Sequence, residues 1–291
     1  MSSPRDENRL ETTAGLPRPQ RLHWKDLVAL RRHEIILNLG LSAPWLGVSL
    51  WAAQQGYFLL AIPCSAAFFL TALRQAHDSY HASIGVPRPW LDTVLLMLTL
   101  TMLCATHAIR HTHLEHHKNP LGKGDAEGCW ARQSAWRALL LGPLFSIRIH
   151  AQALQTGSAS TRRWTWAELA LVAGVWLLAV LTQQDWLRYH VATMMAANAL
   201  VGFFAVWSVH HGCEAQGVFA RTERRAWCNR LTVNLLYHVE HHLFPAVPAN
   251  HLPALALRLD RAAPEWTRKP VLGKPPGAAR RYPMPVPVPR P

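Results

Sequence analysis

Charge is scarce in this sequence: Asp, Glu, Lys and Arg make up 16% of its 291 residues, whereas soluble proteins carry nearer a quarter. Hydrophobic residues reach 50% and gather in runs. An ordinary soluble domain is thereby excluded. Acidic residues are the scarcer sign, with 17 Asp and Glu against 30 Lys and Arg, a net charge of +13. Basic chains often bind nucleic acid, but here the basic residues form no such module. They flank the apolar runs, as the positive-inside rule produces, and no nucleic-acid partner is expected. Cysteine is sparse too. Cys64, Cys104, Cys129, Cys213 and Cys228 contain no CxxC pair, which excludes a disulfide framework and a zinc knuckle. Residues 1–20 lack the apolar core of a secretory signal.

What is present is a set of long apolar stretches. Ile35–Ala53, Tyr57–Leu73, Trp164–Leu181 and Leu187–Val209 each approach the length that crosses a hydrocarbon core of about 30 Å at 1.5 Å per helical residue. Pro44 and Pro63 lie inside the first two, which membrane helices tolerate. Trp164, Trp166, Trp186 and Trp207 fall near the ends of spans three and four, where indole rings favour the headgroup layer. The links at 54–56 and 182–186 are short, predicting two helical hairpins. With both termini on one side, all 30 Lys and Arg except Arg188 fall on that side, which the rule assigns to the cytoplasm. The expected class is all-α: a multi-pass protein of about four spanning helices in two hairpins, with a cytoplasmic helical cap.

There are 17 histidines, and they cluster. His77 and His81 form HxxxH. His113, His116 and His117 form HxxHH, and His238, His241 and His242 repeat it. Positions i, i+3 and i+4 share one helix face, so each box presents its imidazoles together. Neutral imidazole ligates iron, zinc, copper or nickel. A single first-row metal takes four to six ligands, so eight convergent imidazoles suit two ions better than one. Asp78, Asp125, Glu115 and Glu240 are candidate outer acceptors that would orient ligating rings. His107 and His111 form a further HxxxH just before box two and are read as satisfied or proton-handling residues.

Topology constrains a fifth apolar run, Leu91–Thr106. Boxes two and three are separated by two spans and lie on one side. Had Leu91–Thr106 crossed the membrane, box one would face the opposite side and no joint site could form. The run is therefore expected to be re-entrant, interfacial or buried.

The boxes and their spacing resemble the membrane fatty acid desaturase and hydroxylase superfamily. Box three is the closest match: Asn234, Tyr237, His238, Glu240, His241, His242, Leu243, Pro245 and Pro248, then Leu252 and Pro253, follow the family's N-x-x-Y-H-x-E-H-H-L-x-P-x-x-P…L-P. The resemblance implies transmembrane helices under a cap that holds two irons, with the eight box histidines as ligands and catalytic machinery. It also implies a ninth ligand just after the fourth span, best matched by His211; His210 stands where relatives usually have Glu. O2 would be co-substrate, and a double bond would be introduced into an acyl-lipid, acyl-CoA or acyl-carrier-linked chain.

The alternatives are a hydroxylase or ketolase of a fatty chain or carotenoid, and a zinc-dependent membrane hydrolase. A zinc site needs only three protein ligands and an open position. No fused redox segment is visible, so an external ferredoxin or cytochrome b5 with its reductase is the expected donor. The basic face could steer an acidic ferredoxin. The expected location is a bacterial inner membrane, with both termini and the metal site cytoplasmic. The expected division is 1–30 as a polar basic tail, 31–262 as the membrane domain, and 263–291 as a Pro-rich basic tail, read as disordered.

Overall fold

A computed structural model of the protein describes residues 22–213, 219–267 and 269–273. Most of the two expected tails, 1–21 and 274–291, lies outside the described residues. Among the described residues, four helical stretches are long and apolar enough to cross a membrane: Arg32–Gln54, Phe58–Tyr80, Ala159–Thr182 and Asp185–His210. At 23 to 26 residues they measure about 35–39 Å. The first is two helices, α1 (Arg32–Gly40) and α2 (Ala43–Gln54), and Pro44 sits in the first turn of α2, where its missing N–H costs nothing. A turn with Gly56 at φ 76° leads into α3 (Phe58–Tyr80).

Lipid gives helices no hydrophobic reason to associate, so small residues and hydrogen bonds hold the hairpin. Ala52, Ala53 and Ala61 are buried at its seam. Ser49 and Ser65 hydroxyls lie 2.6 Å apart, and Tyr189 of the second hairpin reaches Ser65 at 2.9 Å.

The run expected not to cross forms α4 (Arg88–Met102) and α5 (Thr106–Lys118), bent against each other by 110°. Leu103 takes the left-handed conformation at the corner, φ 55°. His81 before this excursion and His113 within its second helix have ring nitrogens 3.0 Å apart. The chain therefore leaves and returns at the same end of the bundle, and the pair is re-entrant.

After the short helix α6 (Ala135–Leu140), α7 (Gly142–Thr156) precedes α8 (Ala159–Thr182), which pairs with α9 (Asp185–Val201). The last span continues through a π-helical turn, Gly202–Trp207, to His210. Gly202 is required there: a Cβ would stand 2.8 Å from the Phe145 ring and 2.9 Å from Trp130 Nε1.

The cap closes over the box end with α10 (Ala226–Leu231), α11 (His238–Leu243) and α12 (Leu252–Ala262). Its core contains Phe219, Leu243, Phe244, Leu255 and Leu259, each worth about 1.5–3 kcal/mol when fully buried. Residues 22–30, assigned above to a tail, pack on this core through Leu22, Trp24, Leu27 and Val28. Arg258 clamps the segment by a two-pronged contact with Asp26 at 2.6 and 2.7 Å.

Candidate metal centre

Every histidine box arrives at one end of the bundle. The last turn of α3 delivers His77 and, at its C-cap, His81. One face of α5 delivers His113, His116 and His117, and α11 delivers His238, His241 and His242. The rings sort into two groups. In one, ligand atoms of His77, His81, His113 and His241 lie within 4.8 Å of one another; in the other, those of His116, His210 and His242 do so. His117 and His238 connect them. His117 Nε2 is 2.9 Å from His241 Nε2, and its ring stacks on His242 at 4.1 Å. His238 Nε2 is 2.8 Å from His210 Nε2 and 3.2 Å from His242 Nε2.

All eight box histidines are thus brought together, and the ninth expectation is corrected. His211 stands outside both groups. Its Nδ1 donates to the Ala131 carbonyl at 2.8 Å and its ring stacks on Trp207 at 4.4 Å. His210, 1% exposed, takes the inward place. The helix ends at His210, and at His211 the backbone leaves it in an extended conformation, φ −61° and ψ 132°.

The outer contacts also differ from expectation. Asp125 does hold a ring, accepting from His116 Nδ1 at 2.7 Å. Backbone N–H groups of Leu121, Glu127 and Gly128 fix its carboxylate at 2.7, 3.1 and 2.8 Å. Glu127 accepts from His113 Nδ1 at 3.2 Å; no periodicity marked it, because it reaches back from a loop. The other three candidates are engaged elsewhere. Asp78 accepts from the Ala249 N–H at 3.2 Å. Glu115 is exposed and pairs with Lys118 at 2.6 Å. Glu240 accepts from Thr222 at 2.6 Å and from Arg224.

Of the pair before box two, His111 lies 3.0 Å from the Thr156 hydroxyl. His107 meets Glu168, a buried acid on α8 that no sequence motif marks.

Burial, reinforced by neighbouring imidazoles, holds His81, His117, His238, His241 and His242 well below the ordinary histidine value. Neutral rings are the form that ligates. His116 runs the other way. Burial lowers it, but the Asp125 carboxylate outweighs burial and raises it. Burial raises Asp125, while the His116 contact and the backbone donors bring it below the usual carboxylate value.

Proton accounting tests whether metal fits. A carbonyl only accepts, so His210 Nδ1, 2.8 Å from the Phe219 carbonyl, carries a hydrogen. His116 Nδ1 likewise donates to Asp125. A neutral imidazole has one N–H, so both Nε2 atoms present bare lone pairs, and they face each other at 3.1 Å. Such a pair repels unless a cation lies between them. One extra proton relieves one pair, but His242 and His238 converge on the same spot. His117 Nδ1 and His242 Nδ1 are buried without a partner among the described residues, a cost that coordination through the opposite nitrogen does not remove. The donor set, all imidazole with carboxylates behind it, fits first-row metal ions.

An apolar groove of about 450 Å³ runs between α1–α2 and α4, floored by Phe68 and Gln75 of α3. None of the clustered histidines lines it. Among known proteins, the family model described as fatty acid desaturase matches residues 56–270. No match is found among curated proteins.

Proposed function

The chain belongs to the fatty acid desaturase family, and we propose that it is an O2-dependent di-iron membrane oxidoreductase that introduces a double bond into a fatty acyl chain. The observation that carries this reading is the convergence of nine buried or half-buried imidazoles, seven in two groups and His117 and His238 between them, at one end of four apolar helices. His77, His81, His113 and His241 would hold one iron, and His116, His210 and His242 the other. His117 and His238 would complete the two coordination sets. When bound, the irons supply O2 activation and the oxidising power to break an unactivated C–H bond.

The chain's own residues do the rest. Asp125 and Glu127 hold the Nδ1 hydrogens of His116 and His113, which fixes the tautomer that leaves Nε2 free and raises its basicity. The cap core around Phe244 and Leu255 excludes water from the centre. Removing two hydrogens from the substrate while reducing O2 to two waters consumes two further electrons and two protons. An external ferredoxin or cytochrome b5 with its reductase would provide the electrons. The basic residues on the box side support a cytoplasmic location for that exchange.

The test compares total lipids, pigments and acyl thioesters of host cells making the wild type with those of cells making His241→Ala, each with a competent donor. A product lighter by two hydrogens, absent with the variant, is the expected result. A product carrying added oxygen would replace desaturation by hydroxylation or ketolation. No product with either donor, together with purified protein holding zinc, would overturn the reading.

A further inference from the structure

Trp164–Leu181 carries a single ionisable residue, Glu168. Its side chain is 0% exposed. An ionisable group inside a span is costly unless paired, and marks function by default. Glu168 is not a neighbour of the imidazole groups, yet all its partners belong to the corner between α4 and α5. Thr99 Oγ1 of α4 lies 2.7 Å from Oε1, and Thr106 Oγ1 of α5 lies 3.0 Å from it. Oε2 accepts from the His107 backbone N–H at 3.0 Å, and Oε1 from the His107 ring at 2.7 Å.

The first N–H groups of a helix have no acceptor of their own. At the start of α5, side chains of three other elements supply them. His150 of α7 accepts from Ala105 N at 3.1 Å, Thr99 of α4 from Thr106 N at 3.3 Å, and Glu168 of α8 from His107 N. A carboxylate at this end also meets the positive pole of the helix dipole. The His107 ring is held on three sides. Glu168 faces Nδ1, Asp92 faces Nε2 at 3.3 Å, and Trp164 lies flat against it at 4.5 Å and 4°. The backbone bond sets the height of α5 and the clamped ring sets its rotation.

We propose that Glu168 is a positioning residue of the metal centre: from span α8 it fixes where α5 begins, and thereby where His113, His116 and His117 stand. His107 and His113 are six residues apart, about 9 Å along one stiff helix, so a slip at the corner is carried to the rings. Metal ligation tolerates about 0.2 Å. This inference rests on the reading of the centre as metal-binding.

The test uses the full chain in detergent, freed of metal and loaded with Co(II), as wild type, Glu168→Gln and His150→Ala. Three quantities are read: the absorption bands of bound Co(II), its rate of release to a chelator, and thermal unfolding of the metal-free protein. Glu168→Gln is expected to release Co(II) about tenfold faster or more, the low end of effects from outer-shell changes, and to show shifted bands while still folded. His150→Ala is expected to move both in the same direction by less. A folded Glu168→Gln with wild-type bands and release, changed only in melting, would overturn the positioning role. If Glu168→Gln does not fold, His150→Ala decides, and unchanged bands with it would overturn the role. A wild type that binds neither Co(II) nor iron would overturn both this role and the metal reading, whereas a binding wild type matched by the variant overturns this role alone.

Discussion

His210 and His211 are adjacent, chemically identical side chains that the backbone sends to different places. His210 Nε2 joins His116 and His238, and His211 is spent on a carbonyl and an indole. Replacing His210 by Ala should lower bound metal by about one ion per chain, since a group of three loses a member; His211→Ala should leave the metal count unchanged. Metal analysis of the two purified variants checks this. The same method separates Asp125 from Glu115. Asp125→Asn should weaken metal binding by about 10–100-fold because it releases the His116 ring, and Glu115→Gln should do nothing. The box histidines were legible in the sequence because i, i+3, i+4 spacing is a local signal. Asp125 was legible beside them. His210 was not, because the ring partners that distinguish it from His211, His116 and His238, stand 94 and 28 residues away in the chain. Glu127 and Glu168 escaped for the same reason: each meets its partner across 14 or 61 residues.

Among the elements, α4 and α5 carry the most consequence. Length and apolarity alone would allow the pair to cross as a fifth span. Its return is dictated by the boxes on either side, and that was readable from the sequence as a logical constraint, although the 110° corner and its left-handed Leu103 were not. The re-entrant arrangement puts the loop after α5 on the box side and the α8–α9 turn on the other. In a chain whose own cysteines are replaced by serine, Lys123→Cys should react with an impermeant maleimide from the cytoplasmic side only. Gln183→Cys should react from the opposite side only. Labelling of both from one side would contradict the topology. The spans themselves were found to within a few residues, except that α3 and α8 run past their apolar cores, Phe58–Tyr80 and Ala159–Thr182. The extra turns of α3 carry His77 toward the cap.

At the scale of the whole molecule, four apolar helices supply a frame whose polar side chains concentrate at one end, and the cap seals that end. The frame relies on hydroxyl contacts such as Ser49–Ser65 and on alanine seams, while the cap relies on burying Phe244, Leu255 and Leu259. The two halves meet in the imidazole cluster, so metal binding should tie cap to bundle and stabilise the fold. Removing metal with a chelator is expected to lower the melting temperature of the wild type and to leave His241→Ala, already deficient in metal, nearly unaffected; calorimetry of both checks it. On the proposed reading this cluster holds two irons. This is tested most directly by growing cells on ⁵⁷Fe, purifying the wild-type protein, and taking its iron content together with its Mössbauer spectrum. The expected result is two irons per chain with the isomer shifts of nitrogen-ligated, non-haem iron. One iron per chain, or stoichiometric zinc with no iron, would contradict it.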